Sequence, residues 1–123
     1  MRVLIAEDDR DQLAVREMLL RHSGFEPILA LDSKTALRKA EAGHPVCAIV
    51  DLNFPTEEAG LRLIRELKQF DAGLHIFVLT GENPERLNRF PERLLIDEVI
   101  NKGAPASKLI RKLKENLDPS QRS

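Results

Sequence analysis

The 123-residue sequence predicts an α/β fold built on a parallel sheet with helices on both faces. Two observations carry that expectation. Five short apolar runs rich in Val, Ile and Leu alternate with longer stretches whose apolar residues recur every three to four positions, which are the signatures of buried strands and of helices packed on one face. The residues at the junctions are those that start and stop helices. Strands and helices in strict alternation imply right-handed crossovers that cover both sides of the sheet.

The first run is Val3 to Ala6, and the helix after it carries the stripe Leu13, Val15, Met18 and Leu19. Pro27 to Leu31 is the second strand. The next helix is striped by Ala36, Leu37 and Ala40, with Ser33 as its expected cap and Gly43 ending it in the left-handed conformation. Val46 to Val50 forms the third strand, followed by a helix with Leu61, Ile64 and Leu67 inward, and His75 to Leu79 forms the fourth. Pro84 can open a helix after it, but Pro91 comes seven residues later and has no N–H to continue one, so the segment is expected to be short or broken. Glu98 to Asn101 is the fifth strand. Pro105 suits the first turn of the last helix, striped by Leu109, Ile110, Leu113 and Leu117. A single domain over residues 1–117 and a polar tail over residues 118–123 complete the division.

Composition excludes several roles. Nineteen basic against twenty acidic residues leave a net charge of −1, too little to draw in nucleic acid or an anionic membrane. Cys47 is the lone cysteine. No internal disulfide or cysteine zinc site can form, and a reducing cytoplasm is the expected location. No apolar stretch approaches the roughly 20 residues that span a bilayer. His22, His44 and His75 lack metal-like spacing, and the five phenylalanines do not interleave with basic residues as a nucleic-acid surface would require. Arg86, Arg89, Arg93, Lys108, Arg111 and Lys112 crowd the last third of the chain. An ordinary solvated surface is the simpler reading of them, and a face for an acidic partner the sharper one.

Polar residues gather at the strand ends. Glu7-Asp8-Asp9 follow the first strand, Asp51 the third, Thr80 the fourth and Lys102 the fifth. Singly each has a plain explanation, such as a helix cap, a turn or a solvated lysine. Together they face one edge of the sheet. In the flavodoxin-like strand order 2-1-3-4-5, ligands bind at that edge where strand order reverses. Carboxylates close together repel by about 1 to 4 kcal/mol per pair at 4 Å, so the group calls for a hard cation, Mg²⁺ or Mn²⁺. A lysine and a hydroxyl beside it suit phosphoryl oxygens, which makes Asp51 the candidate nucleophile.

In these motifs, LIAEDD, IVDLNFP, FVLTGE and EVINKG, each at its strand end, the sequence resembles the receiver domain of bacterial two-component response regulators, of the chemotaxis-like single-domain kind. The likeness runs from Arg2 to about Leu117. It implies that Asp51 accepts a phosphoryl group from a sensor histidine kinase or histidine phosphotransfer protein, and that the domain then signals to a protein target by changing conformation. It implies further that Glu7, Asp8, Asp51 and the backbone carbonyl of Asn53 hold Mg²⁺, that Thr80 and Lys102 contact the phosphoryl group, and that Asp9 is left to cap the helix. Asn53 and Glu82 occupy the positions that tune phosphoryl lifetime in the family. Such a domain is expected to be no enzyme toward external substrates, and 123 residues have no room for an appended DNA-binding or enzymatic output domain, so the expectation is a domain that acts by protein contacts or a fragment of a longer protein.

The sequence departs from the family pattern on one side. Gly103 stands where proline usually follows the lysine, Val99 where an aromatic usually turns inward with the threonine, and PERLLIDEV replaces the usual small-residue turn before the fifth strand. Pro55 to Gly60 is one residue longer than usual. These departures leave open a receiver that works without phosphorylation as an interaction module. A Mg²⁺-dependent phosphohydrolase is the remaining alternative, weakened because Asn53 stands where such enzymes place a second acid and no G-x-x-x-x-G-K motif is present.

Overall fold

The structure, a computed structural model, describes residues 1–81 and 83–117. Strands β1 (Arg2–Ala6), β2 (Glu26–Ala30), β3 (Cys47–Asp51), β4 (His75–Thr80) and β5 (Glu98–Asn101) form a parallel sheet in the order β2-β1-β3-β4-β5. Helices α1 (Arg10–His22), α2 (Ser33–Gly43), α3 (Glu57–Phe70) and α4 (Ala106–Leu117) connect and flank them. This is the doubly wound five-stranded arrangement that the sequence predicts. Among the described residues, no helix is long and apolar enough to cross a membrane.

Alternation along the strands builds two cores. Leu4, Ala48, Val50, Ile76 and Val78 point to the face covered by α2 and α3, where Ala36, Ala40, Leu63, Ile64 and Leu67 meet them. Val3, Ile5, Cys47, Ile49 and Phe77 point to the other face, against Leu13 and Leu20 of α1 and Leu109, Leu113 and Leu117 of α4. Strands covered on both sides are apolar along their whole length. Burial pushes the Cys47 thiol well above its ordinary range, so it packs as a small apolar group.

Three local expectations change. The inward stripe of α1 is Leu13 and Leu20, while Val15 and Met18 are 64% and 72% exposed. The stripe read from the sequence is rotated because Arg16, the residue three after Leu13 and four before Leu20, lies on the buried face. Asp32 caps α2 instead of Ser33, its Oδ1 accepting from the Thr35 N–H at 2.8 Å. The left-handed residue that ends α2 is His44 (φ 45°), not Gly43. Gly43 stays helical where a Cβ would meet the Ile28 Cδ1 atom at 2.8 Å, and the His44 ring stacks on Phe70.

The crossover between β4 and β5 is broken, as its two prolines require. It forms two 3₁₀ turns, Pro84–Arg89 and Pro91–Leu95, each beginning in a proline. Leu87 anchors the first turn in the core. Ion pairs tie both turns to α3: Arg86 with Glu57, and Arg65 Nη1 with the buried Glu92 Oε2 at 2.6 Å. On α4, Arg111 pairs with Glu115 and Lys112 with Glu98. Several of the basic residues in this region therefore have local partners, as an ordinary surface would.

One close approach fixes where the sheet meets α3. A Cβ on Gly60 would lie 2.2 Å from the Leu52 carbonyl oxygen, so only glycine lets the first turn of α3 rest on the backbone just after β3. Gly60→Ala is expected to cost about 1–3 kcal/mol through displaced backbone, read from urea unfolding with the slope unchanged. The Asp32 cap carries a pH signature. Hydrogen bonds from Thr35 hold its carboxyl below the usual value. A depressed folded-state pKa stabilises above the unfolded value and is lost as pH falls through the folded one. Asp32→Ala should therefore lower Tm at neutral pH, and the gap to the parent should close as the carboxyl protonates.

Candidate functional site

Parallel register sets the acidic residues side by side. Ala6 pairs with Val50, so the next residues along β1 and β3 are Glu7 and Asp51. Glu7 is 1% exposed, Asp51 4%, and Asp8 lies open to solvent. One oxygen from each of Glu7, Asp8 and Asp51 lies within 4.8 Å of the others. The site sits at the carboxyl end of the sheet beside β1, whose neighbours β2 and β3 mark the reversal of strand order.

The neighbouring strands add the remaining groups. Thr80 is the buried last residue of β4, and its carbonyl accepts from the Lys102 N–H at 2.8 Å. That bond brings Lys102, just past β5, back over the sheet edge. Its Nζ donates to Asp51 Oδ2 at 2.7 Å, while the Asn53 N–H donates to Asp51 Oδ1 at 3.2 Å. Both oxygens of Asp51 are thus held in fixed directions. Burial raises the Asp51 carboxyl above its ordinary value; Lys102 pulls it down and the neighbouring Glu7 pushes it up, with a net rise.

Asp9 caps α1, its Oδ1 accepting from the N–H groups of Asp11 at 2.9 Å and Gln12 at 3.1 Å. Asp9 is thus the cap, and the carboxylates that gather with Asp51 are those of Glu7 and Asp8. Glu82 lies outside the described residues. Asn53 is exposed beside Asp51.

The departures at β5 have local explanations. Gly103 donates its N–H to Asn101 Oδ1 at 2.7 Å. Proline has no N–H and could not make this bond, so here an Asn-based turn supplies the constraint on the lysine loop. Val99 is partly buried and packs against the core on the α2 and α3 face.

One participant escaped the sequence reading. Arg16 of α1 pairs through Nη1 with Glu7 Oε1, and its Nη2 donates to Gln12 Oε1 at 2.9 Å. The available signal was positional: an arginine on the line from Leu13 to Leu20, where helical spacing demands an apolar residue.

Comparison with known proteins agrees with this geometry. A family profile described as the response regulator receiver domain matches residues 3–114. The transcriptional regulatory protein PrrA of Mycobacterium tuberculosis is 37% identical over 82 residues, covering 67% of this chain and 35% of PrrA. The virulence transcriptional regulatory protein PhoP of Salmonella typhimurium is 40% identical over 84 residues, covering 66% of this chain and 36% of PhoP. The chain thus spans about a third of the length of these curated relatives. Among solved structures, a CheY-like receiver domain protein from Methanospirillum hungatei superposes with a TM-score of 0.85 at 26% identity, covering 95% of this chain and 93% of that one.

Crowding at the Asp51 carboxylate has a measurable consequence. A folded-state pKa above the unfolded one means that ionised Asp51 costs stability, and the cost grows as pH rises through the carboxylate range. Without divalent ions, Asp51→Asn should melt above the parent at neutral pH. The advantage should vanish below the carboxylate range. A lower Tm for Asp51→Asn at neutral pH would contradict this balance of charges.

Proposed function

The chain belongs to the response regulator receiver domain family of two-component signalling, and on that premise we propose that Asp51 takes a phosphoryl group from the phosphohistidine of a sensor kinase or phosphotransfer protein. The observation that supports this most directly is the buried carboxylate of Asp51, oriented by Lys102 and Asn53 and flanked by Glu7 and Asp8. The proposed setting is the cytoplasm, and the proposed output is a conformational signal to a protein target.

An oxygen of Asp51 attacks phosphorus; the new O–P bond forms as the P–N bond to the donor imidazole breaks. The bonding pair stays on that ring nitrogen, which takes up a proton from water. Lys102, already bonded to Asp51 Oδ2, redirects an N–H to a phosphoryl oxygen and stabilises the negative charge that builds there, keeping its own proton. The Thr80 hydroxyl, at the end of the adjacent strand, donates to another. Asn53, exposed next to the acceptor, orients an attacking water, which implies a short-lived phosphorylated state.

The donor set fits Mg²⁺, with Mn²⁺ as a substitute. Three carboxylates with oxygens within 4.8 Å are hard ligands that a small dication suits, adding to the charge compensation the chain's own cations supply. Glu7, Asp8, Asp51 and the Asn53 carbonyl would hold the ion. When bound it neutralises charge on the acceptor and the incoming phosphoryl group.

Acetyl phosphate tests the reading without the kinase. With Mg²⁺, the parent should gain the mass of one phosphoryl group as an acid-stable, base-labile adduct; Asp51→Asn, or the parent in EDTA, should not. Equal adducts on parent and variant, or none on either, would refute acceptance at Asp51.

A further inference from the structure

The inward face of α1 carries a charge where packing calls for an apolar side chain. Arg16 lies between the buried Leu13 and Leu20, and its side chain is only 13% exposed. Burying a guanidinium needs a partner, and Glu7 is that partner. The other Glu7 oxygen accepts from the Asp9 N–H at 3.2 Å. Both oxygens of Glu7 are therefore engaged by the chain itself, although one of them lies within 4.8 Å of the Asp8 and Asp51 oxygens.

We propose that Arg16 is a positioning residue that sets the affinity of the acidic site for divalent ions, acting as the counter-cation of Glu7 and competing with the ion for it. This rests on the ion-dependent reading given above. A carboxylate paired with a guanidinium contributes less to holding a dication. Lys102 cannot take this part because it faces Asp51. When an ion takes Glu7, Arg16 has room to move: it lines a cavity of about 190 Å³ between α1 and the start of α4, together with Leu19, Lys102 and Pro105. The metal-free protein thus avoids an uncompensated cluster of carboxylates, and the ion binds more weakly than those carboxylates alone would allow.

Mn²⁺ serves as the probe, because the electron paramagnetic resonance signal of the free aquo ion disappears on binding. Two neutral variants, Arg16→Gln and Arg16→Met, should bind Mn²⁺ about fivefold to tenfold more tightly than the parent, as expected for removing one nearby cation. In EDTA both should melt below the parent, and saturating Mn²⁺ should raise their Tm by more than it raises the parent's. Arg16→Lys, which keeps the charge, should return the affinity toward the parent value. Unchanged or weaker Mn²⁺ binding by the neutral variants overturns the role, as does a lysine variant that behaves like them. Loss of folding that Mn²⁺ does not reverse also overturns it, since the ion must be able to replace the arginine's charge. A parent that binds no Mn²⁺ sinks the ion-dependent reading itself, whereas a parent that binds it with neutral variants unchanged sinks only the part given to Arg16.

Discussion

The site depends on gathering like charges at the end of a buried sheet without breaking the fold. β1 and β3 run in register through the middle of the molecule, so the residues that follow their apolar runs, Glu7 and Asp51, must lie side by side. Their mutual repulsion is offset from two directions. Lys102 reaches Asp51 from the loop after β5, and Arg16 reaches Glu7 from the inward face of α1. Each cation is itself fixed by a further bond, Lys102 through its backbone to Thr80 and Arg16 through its second nitrogen to Gln12. The compensation comes from two separate elements, which is how Glu7 and Asp51 stay buried side by side.

Most of this architecture was legible in the sequence because it follows from periodicity. Strands buried on both faces read as unbroken apolar runs, and chemistry at their carboxyl ends appears as a polar residue after each run. Glu7, Asp8, Asp51, Thr80 and Lys102 were visible in that way. What escaped depends on side chains crossing between elements. The rotation of α1 is hidden in the sequence because Val15 and Met18 are as apolar as core residues, and the ion pair to Glu7 is what makes Arg16 the better inward residue. Helix ends were ambiguous for a different reason. Asp32 and Ser33 can both cap a helix, and the choice rests on which one the backbone leaves in the extended conformation.

The far side of the domain follows another logic. Two prolines prevent a regular helix between β4 and β5, and a broken crossover has few main-chain hydrogen bonds to hold it in place. Side chains supply what the backbone does not. Leu87 inserts into the core, while Arg86 and Glu92 clasp Glu57 and Arg65 on α3. The crossover thereby becomes attached to the helix that Gly60 seats against the backbone just after Asp51. A displacement at that backbone has a physical path to the crossover through α3, independent of any aromatic side chain at position 99.

Cys47 gives the central strand a built-in clock. It opens β3, the strand that ends in Asp51, and it lies wholly inside the core between β1 and β4. A thiol that is buried and held in its protonated form reacts only when the sheet parts. As the chain's lone sulfhydryl, its rate of alkylation under native conditions counts the openings of the strand that ends in Asp51. The molecule thus reports its own breathing at one strand's resolution, through a residue it already carries.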